Sequence, residues 1–265
     1  MNAPHIARGR PRLLQSELTK LITLRPVWIT ALVTFAVVVL MGWSQAGPVG
    51  DSLRSNDPEL APGASPATVG FDWVALGLIG IIIIGVTAAS SEFVSGQVRS
   101  SVLAVPFRGR LYGAKCGALL LSVSAFGLLT IPLLSLLSQA AIGDLSVITH
   151  GNPADLVLRW LGAVLCWDAT ALIGFSLAIL LKQSLIPLFV LIVVSQLSLL
   201  LLLLGPALAY LPTIAGLQLF DPGLVTGSYP DAALSLPAAA AATVVWTAGL
   251  LALAGWRFAA RDVRN

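Results

Sequence analysis

Residues 156–181 read LVLRWLGAVLCWDATALIGFSLAILL, residues 182–184 read Lys182-Gln183-Ser184, and residues 185–204 read LIPLFVLIVVSQLSLLLLLL. Each apolar run reaches the roughly 20 helical residues that a bilayer core demands. The three polar residues between them leave room only for a tight hairpin. Two adjoining spans of this kind decide the fold class, an all-α membrane protein. Working outward, four more blocks have the same character: Val27 to Trp43, Trp73 to about Ala89, Leu111 to Leu137, and about Leu234 to Phe258. Trp28 and Trp43 bracket the first block, as interfacial aromatics do. Pro132 predicts a kink near the outer end of the third. The sequence therefore predicts six transmembrane helices at approximately 27–43, 73–89, 111–137, 156–181, 185–204 and 234–258, within a single transmembrane domain over 1–265. The composition agrees, with 57% hydrophobic and 10% charged residues and a mean hydropathy of +0.92. A soluble domain needs far more charge to cover its surface.

Charge sets the expected orientation. Arg8, Arg10, Arg12, Lys20 and Arg25 precede block one; Arg99, Arg108, Arg110 and Lys115 cluster between blocks two and three; Lys182 sits in the four–five turn; Arg257, Arg261 and Arg264 end the chain. Only Arg54 and Arg159 of the 15 basic residues fall on the other face. The other loops carry the acidic residues Asp51, Asp57, Glu59, Asp72, Asp144, Asp155, Asp221 and Asp231. By the positive-inside rule both termini lie in the cytoplasm, and the arginine-rich, lysine-poor usage points to a bacterial cell membrane. Ser44-Gln45-Ala46 after an arginine-led apolar stretch also fits a signal-peptide cleavage site, but the block is long for that role and carries tryptophan at both ends. The net charge of +3 does not imply nucleic acid, because the basic residues flank apolar blocks and form no separate basic face. Cys116 and Cys166 lie inside apolar blocks and read as small buried hydrophobes, with no metal site.

Two further segments are amphipathic. From Pro11 to Arg25, Leu14, Leu18, Leu21 and Ile22 share one helical face, which predicts a helix along the membrane surface. From Ser91 to Val105, Val94, Val98, Val102 and Val105 recur at helical spacing, with Glu92, Ser95, Gln97, Arg99 and Ser100 between them. Gly96 weakens that helix, Pro106 stops it, and the basic turn Phe107-Arg108-Gly109-Arg110 leads into block three. This predicts a short cytoplasmic helix whose polar face is offered to a partner.

These same stretches carry a resemblance. Ser16-Glu17-Leu18-Thr19-Lys20-Leu21 with Leu24-Arg25-Pro26-Val27-Trp28 resembles the N-terminal signature of permease subunits of type-two ATP-binding-cassette (ABC-2 type) exporters. Ser91-Glu92-Phe93-Val94-Ser95-Gly96-Gln97-Val98-Arg99 resembles that family's cytoplasmic motif, although many relatives have threonine where Gln97 stands. Leu103-Ala104-Val105-Pro106, the Arg108/Arg110 pair, Ala114-Lys115 and the stretch from Tyr210-Leu211-Pro212 to Ala215-Gly216 continue the match. The resemblance implies an N-terminal interfacial helix bearing Glu17, Lys20 and Arg25. It implies a cytoplasmic coupling helix between helices 2 and 3, with Glu92, Gly96, Arg99, Pro106, Arg108 and Arg110 as its ATPase-coupling residues. It also implies a re-entrant outer segment before helix 6. The implied partners are an ATP-binding-cassette ATPase subunit and a second permease copy or homologue. Lys20, Lys115 and Lys182 are preceded by Thr19, Ala114 and Leu181, so no phosphate-binding Gly-Lys-Ser/Thr loop exists. The expectation is that ATP and magnesium sit on the partner ATPase and that this chain binds no cofactor.

Asp168, twelve residues past Leu156, is the one carboxylate deep in a block. Buried charge in a membrane is costly and often functional. Asp168 is read either as a contact in the transport pathway, with Gln196 as partner, or as an interhelix hydrogen bond to a serine or threonine. The lack of other buried charge favours an amphipathic or lipid-like substrate. A stand-alone secondary transporter would want internal repeats and several buried ionisable groups. An intramembrane serine enzyme at Ser176 lacks a buried base, since His5 and His150 fall outside the blocks.

Overall fold

The computed structural model describes the backbone of residues 9–95 and 108–260, and among these every regular element is helical. Five helices are long and apolar enough to cross a membrane, and a bent pair supplies a sixth crossing if it counts as one span. The chain is a multi-pass membrane protein.

Helix α1 (Gly9–Thr23) is the expected amphipathic segment. Leu24 turns the chain, and Pro26 opens α2 at a position where its missing N–H costs nothing. The span α2 (Arg25–Ser55) is far longer than the block ending at Trp43. It contains a π-helical turn at Val37–Met41, which lets the helix absorb an extra residue and buries Val38 and Val39. It continues through Gln45, Pro48 and Asp51 because Gly42 and Gly50 let it lie directly on Leu134 and Ile142. Arg54 fixes its end by donating to the Ile142 carbonyl at 2.7 Å and pairing with Asp144 and Asp51. Ala46, inside the stretch that resembled a cleavage site, is packed beside Val69 and Ile142.

Next come α3 (Phe71–Ser95), α4 (Arg108–Ile142) and α5 (Pro153–Leu181). α4 runs through Pro132 without a break, five residues beyond the expected end at Leu137. α5 is the hub. It packs on α3, on α4 and on the last helix, and it is the most buried span. The hub is possible because small residues line its crossings, since bilayer helices gain by close van der Waals approach rather than by hydrophobic burial. A Cβ at Gly85 of α3 would collide with the Ala171 carbonyl of α5. Trp167 fills the centre and donates its indole N–H to the Val74 carbonyl at 3.1 Å, while Phe126 of α4 stacks on it at 5.7 Å. Gly85→Leu should therefore force α3 off α5, costing about 1–3 kcal/mol. Gly249→Leu, where nothing lies within 4 Å, should be neutral. Thermal midpoints of the two variants in detergent check this, and equal midpoints would refute the close crossing.

Residues 185–204 do not form one straight span. α6 (Leu185–Gln196) and α7 (Ser198–Leu204) meet at 74°. Ser195 Oγ bonds back to the Ile192 carbonyl at 3.0 Å, a competition with the helix ladder that favours bending, and Leu197 leaves helical geometry. The outer segment then folds into short pieces, including α8 (Pro212–Gln218) and α9 (Gly223–Thr226). α8 is buried, wedged against α5 and against α10 (Leu236–Ala260). Gly162 and Gly216 permit this contact, facing Leu219 and Cys166 respectively. Tyr112 of α4 ties α10 to the bundle through the Leu251 carbonyl at 2.8 Å. Broad apolar faces on α2, α6, α7 and α10 stay exposed, as a bilayer solvent requires.

Candidate functional site

Three charged residues, Glu17, Lys20 and Lys115, are brought together where α1 packs on α4. Glu17, on the inner face of α1, is 5% exposed, and Lys115 of α4 is 7% exposed. Lys115 Nζ donates to Glu17 Oε2 at 2.7 Å, and Lys20 Nζ donates to Oε1 at 2.8 Å. Burial pushes the Glu17 carboxyl up, but the hydrogen bonds from Lys115 and Lys20 outweigh it and leave the group below the usual glutamate value. Around this pair Leu14, Leu18 and Leu21 seat the helix on the bundle core. α1 is thereby clamped to α4, which begins at the basic turn Arg108-Gly109-Arg110.

Arg25 is exposed at the start of α2, just past the clamp. Glu92 lies in the last described turn of α3, so the first residues of the segment expected as a separate helix over Ser91 to Val105 instead extend α3. That helix runs six residues past the expected end at Ala89. Gly96, Arg99 and Pro106 lie outside the described residues. Arg108 opens α4, and Arg110 is exposed one turn before Lys115 is reached.

Asp168 is buried in mid-span. Ser124 Oγ of α4 donates to its Oδ2 at 2.7 Å, and Oδ1 has no hydrogen-bond partner. The contact expected with Gln196 is not formed. Gln196 is exposed beside the α6–α7 bend, where its amide reaches Ser195 Oγ at 3.3 Å, while Asp168 faces α4. A half-satisfied buried carboxyl is an energetic liability, which makes Asp168 a functional candidate beyond its bond to Ser124. Among the described residues no group of three or more His, Cys, Asp or Glu side chains is placed to hold a metal ion.

The opposite end carries a cluster that sequence reasoning treated only as topology. Asp221, 3% exposed, joins α8 to α9 and accepts the backbone N–H groups of Gly223 and Leu224. Burial raises its carboxyl to about 7, Asp72 of α3 adds to the rise, and Arg159 of α5 opposes it. Arg159 itself donates to the Phe220 carbonyl at 2.6 Å, and Phe71 stacks on Phe220 at 5.8 Å. Because the folded value lies above the unfolded one, near 3.8, the folded state holds the proton more tightly. Stability from this group is full below the unfolded value and falls as pH rises towards about 7. Asp221→Asn, which keeps the acceptor for both N–H groups, should raise the thermal midpoint at pH 8 by roughly 2–4 °C. At pH 5, where less of that stability has been lost, the rise should be smaller. An equal effect at both pH values would mean that the carboxyl does not titrate there.

Compared with protein families, with curated proteins and with solved structures, the chain matches none.

Proposed function

We propose that this chain is the membrane-spanning permease subunit of an ATP-driven exporter of ABC-2 type, carrying an amphipathic or lipid-like substrate. The observation that supports it most is the Glu17–Lys115 clamp. The stretches around Glu17 and around Ala114-Lys115 were singled out separately, about a hundred residues apart, by resemblance to one family. Their charged members meet in one buried pair directly behind the basic turn at Arg108 and Arg110. A surface helix locked to the base of a span gives a push from the cytosol something stiff to act on. The short buried helix α8 and the short α9 that follows it, before α10, fit the re-entrant outer segment of the same family.

In this reading the α1 end and both termini are cytoplasmic, in a bacterial cell membrane. The residues Glu92, Gly96, Arg99, Pro106, Arg108 and Arg110 meet an ATPase subunit, which holds ATP and magnesium and performs all hydrolysis. A second permease copy or homologue completes the pathway, with its apolar faces against α2, α6 and α10 or against lipid. The chain performs no catalysis of its own. The test is affinity purification of the tagged chain from its native host in mild detergent. A stoichiometric ATP-binding-cassette ATPase, whose hydrolysis an amphipathic compound stimulates, is the expected result. Transport by the chain alone in liposomes, driven by an ion gradient without ATP, would overturn it in favour of a secondary transporter. The half-satisfied Asp168 is the one feature that favours that second reading.

A further inference from the structure

Beneath the last turn of α1 lies a cavity of about 160 Å³, walled by Leu21 of α1, Val27 and Ala31 of α2, Ile84 of α3, and Val123 and Phe126 of α4. Its walls are almost wholly apolar. An apolar cavity of roughly this size, about 150 Å³, stays dry and takes a hydrocarbon guest even inside a soluble protein. It opens past Ile22 and Trp28, which are 64% and 50% exposed, so apolar side chains frame its mouth. One wall residue breaks the pattern. Ser122 Oγ is buried and has no hydrogen-bond partner. A membrane serine ordinarily satisfies itself on the carbonyl one turn back; this enclosed hydroxyl reaches a guest by turning about its Cα–Cβ bond into the cavity that its residue lines. Between the wall residues Ile22 and Val27 the chain turns at Leu24 and presents exposed Arg25, with Lys20 one turn earlier already engaged on Glu17. Basic residues at this depth attract anionic headgroups, each contributing about 1 kcal/mol.

We propose that this cavity binds one anionic phospholipid, its acyl chain between α2 and α4, an ester carbonyl on the Ser122 hydroxyl and its phosphate at Arg25. The assignment requires only that the chain spans a membrane and stands apart from the exporter reading. The cavity is too small for a partner helix, which is about 10 Å across. An uncharged guest would leave Arg25 without a role. The lipid would fill the gap beneath α1 and complete the seat that Leu14, Leu18 and Leu21 make on the bundle.

The experiment is native mass spectrometry of the delipidated full chain in detergent, titrated with phosphatidylglycerol and with phosphatidylcholine of identical acyl chains. One tightly held phosphatidylglycerol is expected, preferred over phosphatidylcholine about fivefold, the ratio that 1 kcal/mol gives. Arg25→Gln should abolish the preference. Ala31→Trp and Ser122→Leu fill the cavity from opposite walls, and each should weaken binding of both lipids about tenfold. Val245→Trp, on the exposed face of α10, should leave it unchanged. If Ala31→Trp does not fold, Ser122→Leu decides alone, because it removes a hydroxyl with no hydrogen bond to lose. Wild-type binding by a folded, cavity-filled variant would overturn the site. Equal binding of the two lipids by the unmodified chain would overturn the role of Arg25.

Discussion

Lys115→Met should lower the thermal midpoint of the purified protein more than any other single change at the α1 end, and should release α1 from the bundle. The substitution leaves Glu17 buried with only Lys20 for company, and the Lys20 side chain is 46% exposed. Breaking a buried pair by removing one partner costs about 3–5 kcal/mol, because the remaining charge keeps its desolvation penalty and loses the attraction that offset it. Lys20 can swing further over Glu17, so the lower end of that range is expected. The double variant Glu17→Gln with Lys115→Met should recover most of the loss, since no charge is then stranded. A double-mutant cycle through Glu17→Gln separates the pair from whatever else Lys115 touches. Release of α1 is read independently, as faster protease cleavage near Leu24. The pH dependence has a fixed sign. The Glu17 carboxyl titrates below its ordinary value when folded, so its contribution is present above that value and is lost as pH falls through the folded one. Lys115→Met should weaken this acid sensitivity. A midpoint within about 1 °C of the unmodified protein at neutral pH would show that the pair contributes nothing net, which is possible only if solvent reaches it freely.

The membrane class and the position of most spans were legible because hydrocarbon demands continuous apolar runs, and nothing else in a sequence looks like residues 73–89 or 156–181. Legibility failed where packing replaced composition. Gln45, Gly47, Pro48, Gly50 and Asp51 read as loop, yet they continue α2 as a helix, because Gly42 and Gly50 fit against Leu134 and Ile142 and Arg54 anchors the end. The leucine run over 185–204 reads as one span. The bend at Leu197 depends on one serine hydroxyl and on the space available beside it, and neither leaves a mark in hydropathy. Asp168 was visible as an oddity, but its partner was not, since spacing along one helix does not say which helix lies alongside. The choice between Gln196 and a serine fell to the packing of α5 on α4, which presents Ser124. Glu17 and Lys115 were each noticed, and nothing local joined them. The Asp221, Asp72 and Arg159 cluster was missed because its members are far apart in sequence and looked like ordinary outer-loop charge. The one local hint was Arg159, an isolated arginine on the acid-rich face.

On the exporter reading proposed above, Glu92→Lys should abolish coupling between ATP hydrolysis and transport, or release the ATPase, while the chain still inserts and folds. Glu92 lies just beyond the apolar part of α3, in a segment that resembles a known ATPase-docking motif. In the first turn of a separate surface helix, Glu92 would contribute about 0.3–1 kcal/mol through the helix dipole. The structure removes that role, because Glu92 is in the last described turn of α3 and has a long helix on its N-terminal side. The N-terminal dipole therefore gives no reason for a glutamate at this position, and Glu92→Lys is expected to leave the isolated chain folded. Contact with a partner gives a reason, because a charge at the rim of an interface sets register and partner choice by complementarity, and reversing it converts attraction into like-charge repulsion. Folding and coupling can be read apart in one preparation. The chain should still insert and fold, while co-purified ATPase or substrate-stimulated hydrolysis falls at least about tenfold, the ratio that 1.4 kcal/mol gives. Glu92→Gln, which removes charge without reversing it, should fall between. If the lysine variant retains its full complement of ATPase and full stimulated hydrolysis, the end of α3 is not the docking surface. The search for that surface then passes to Arg108 and Arg110, at the start of the helix that Lys115 ties to α1.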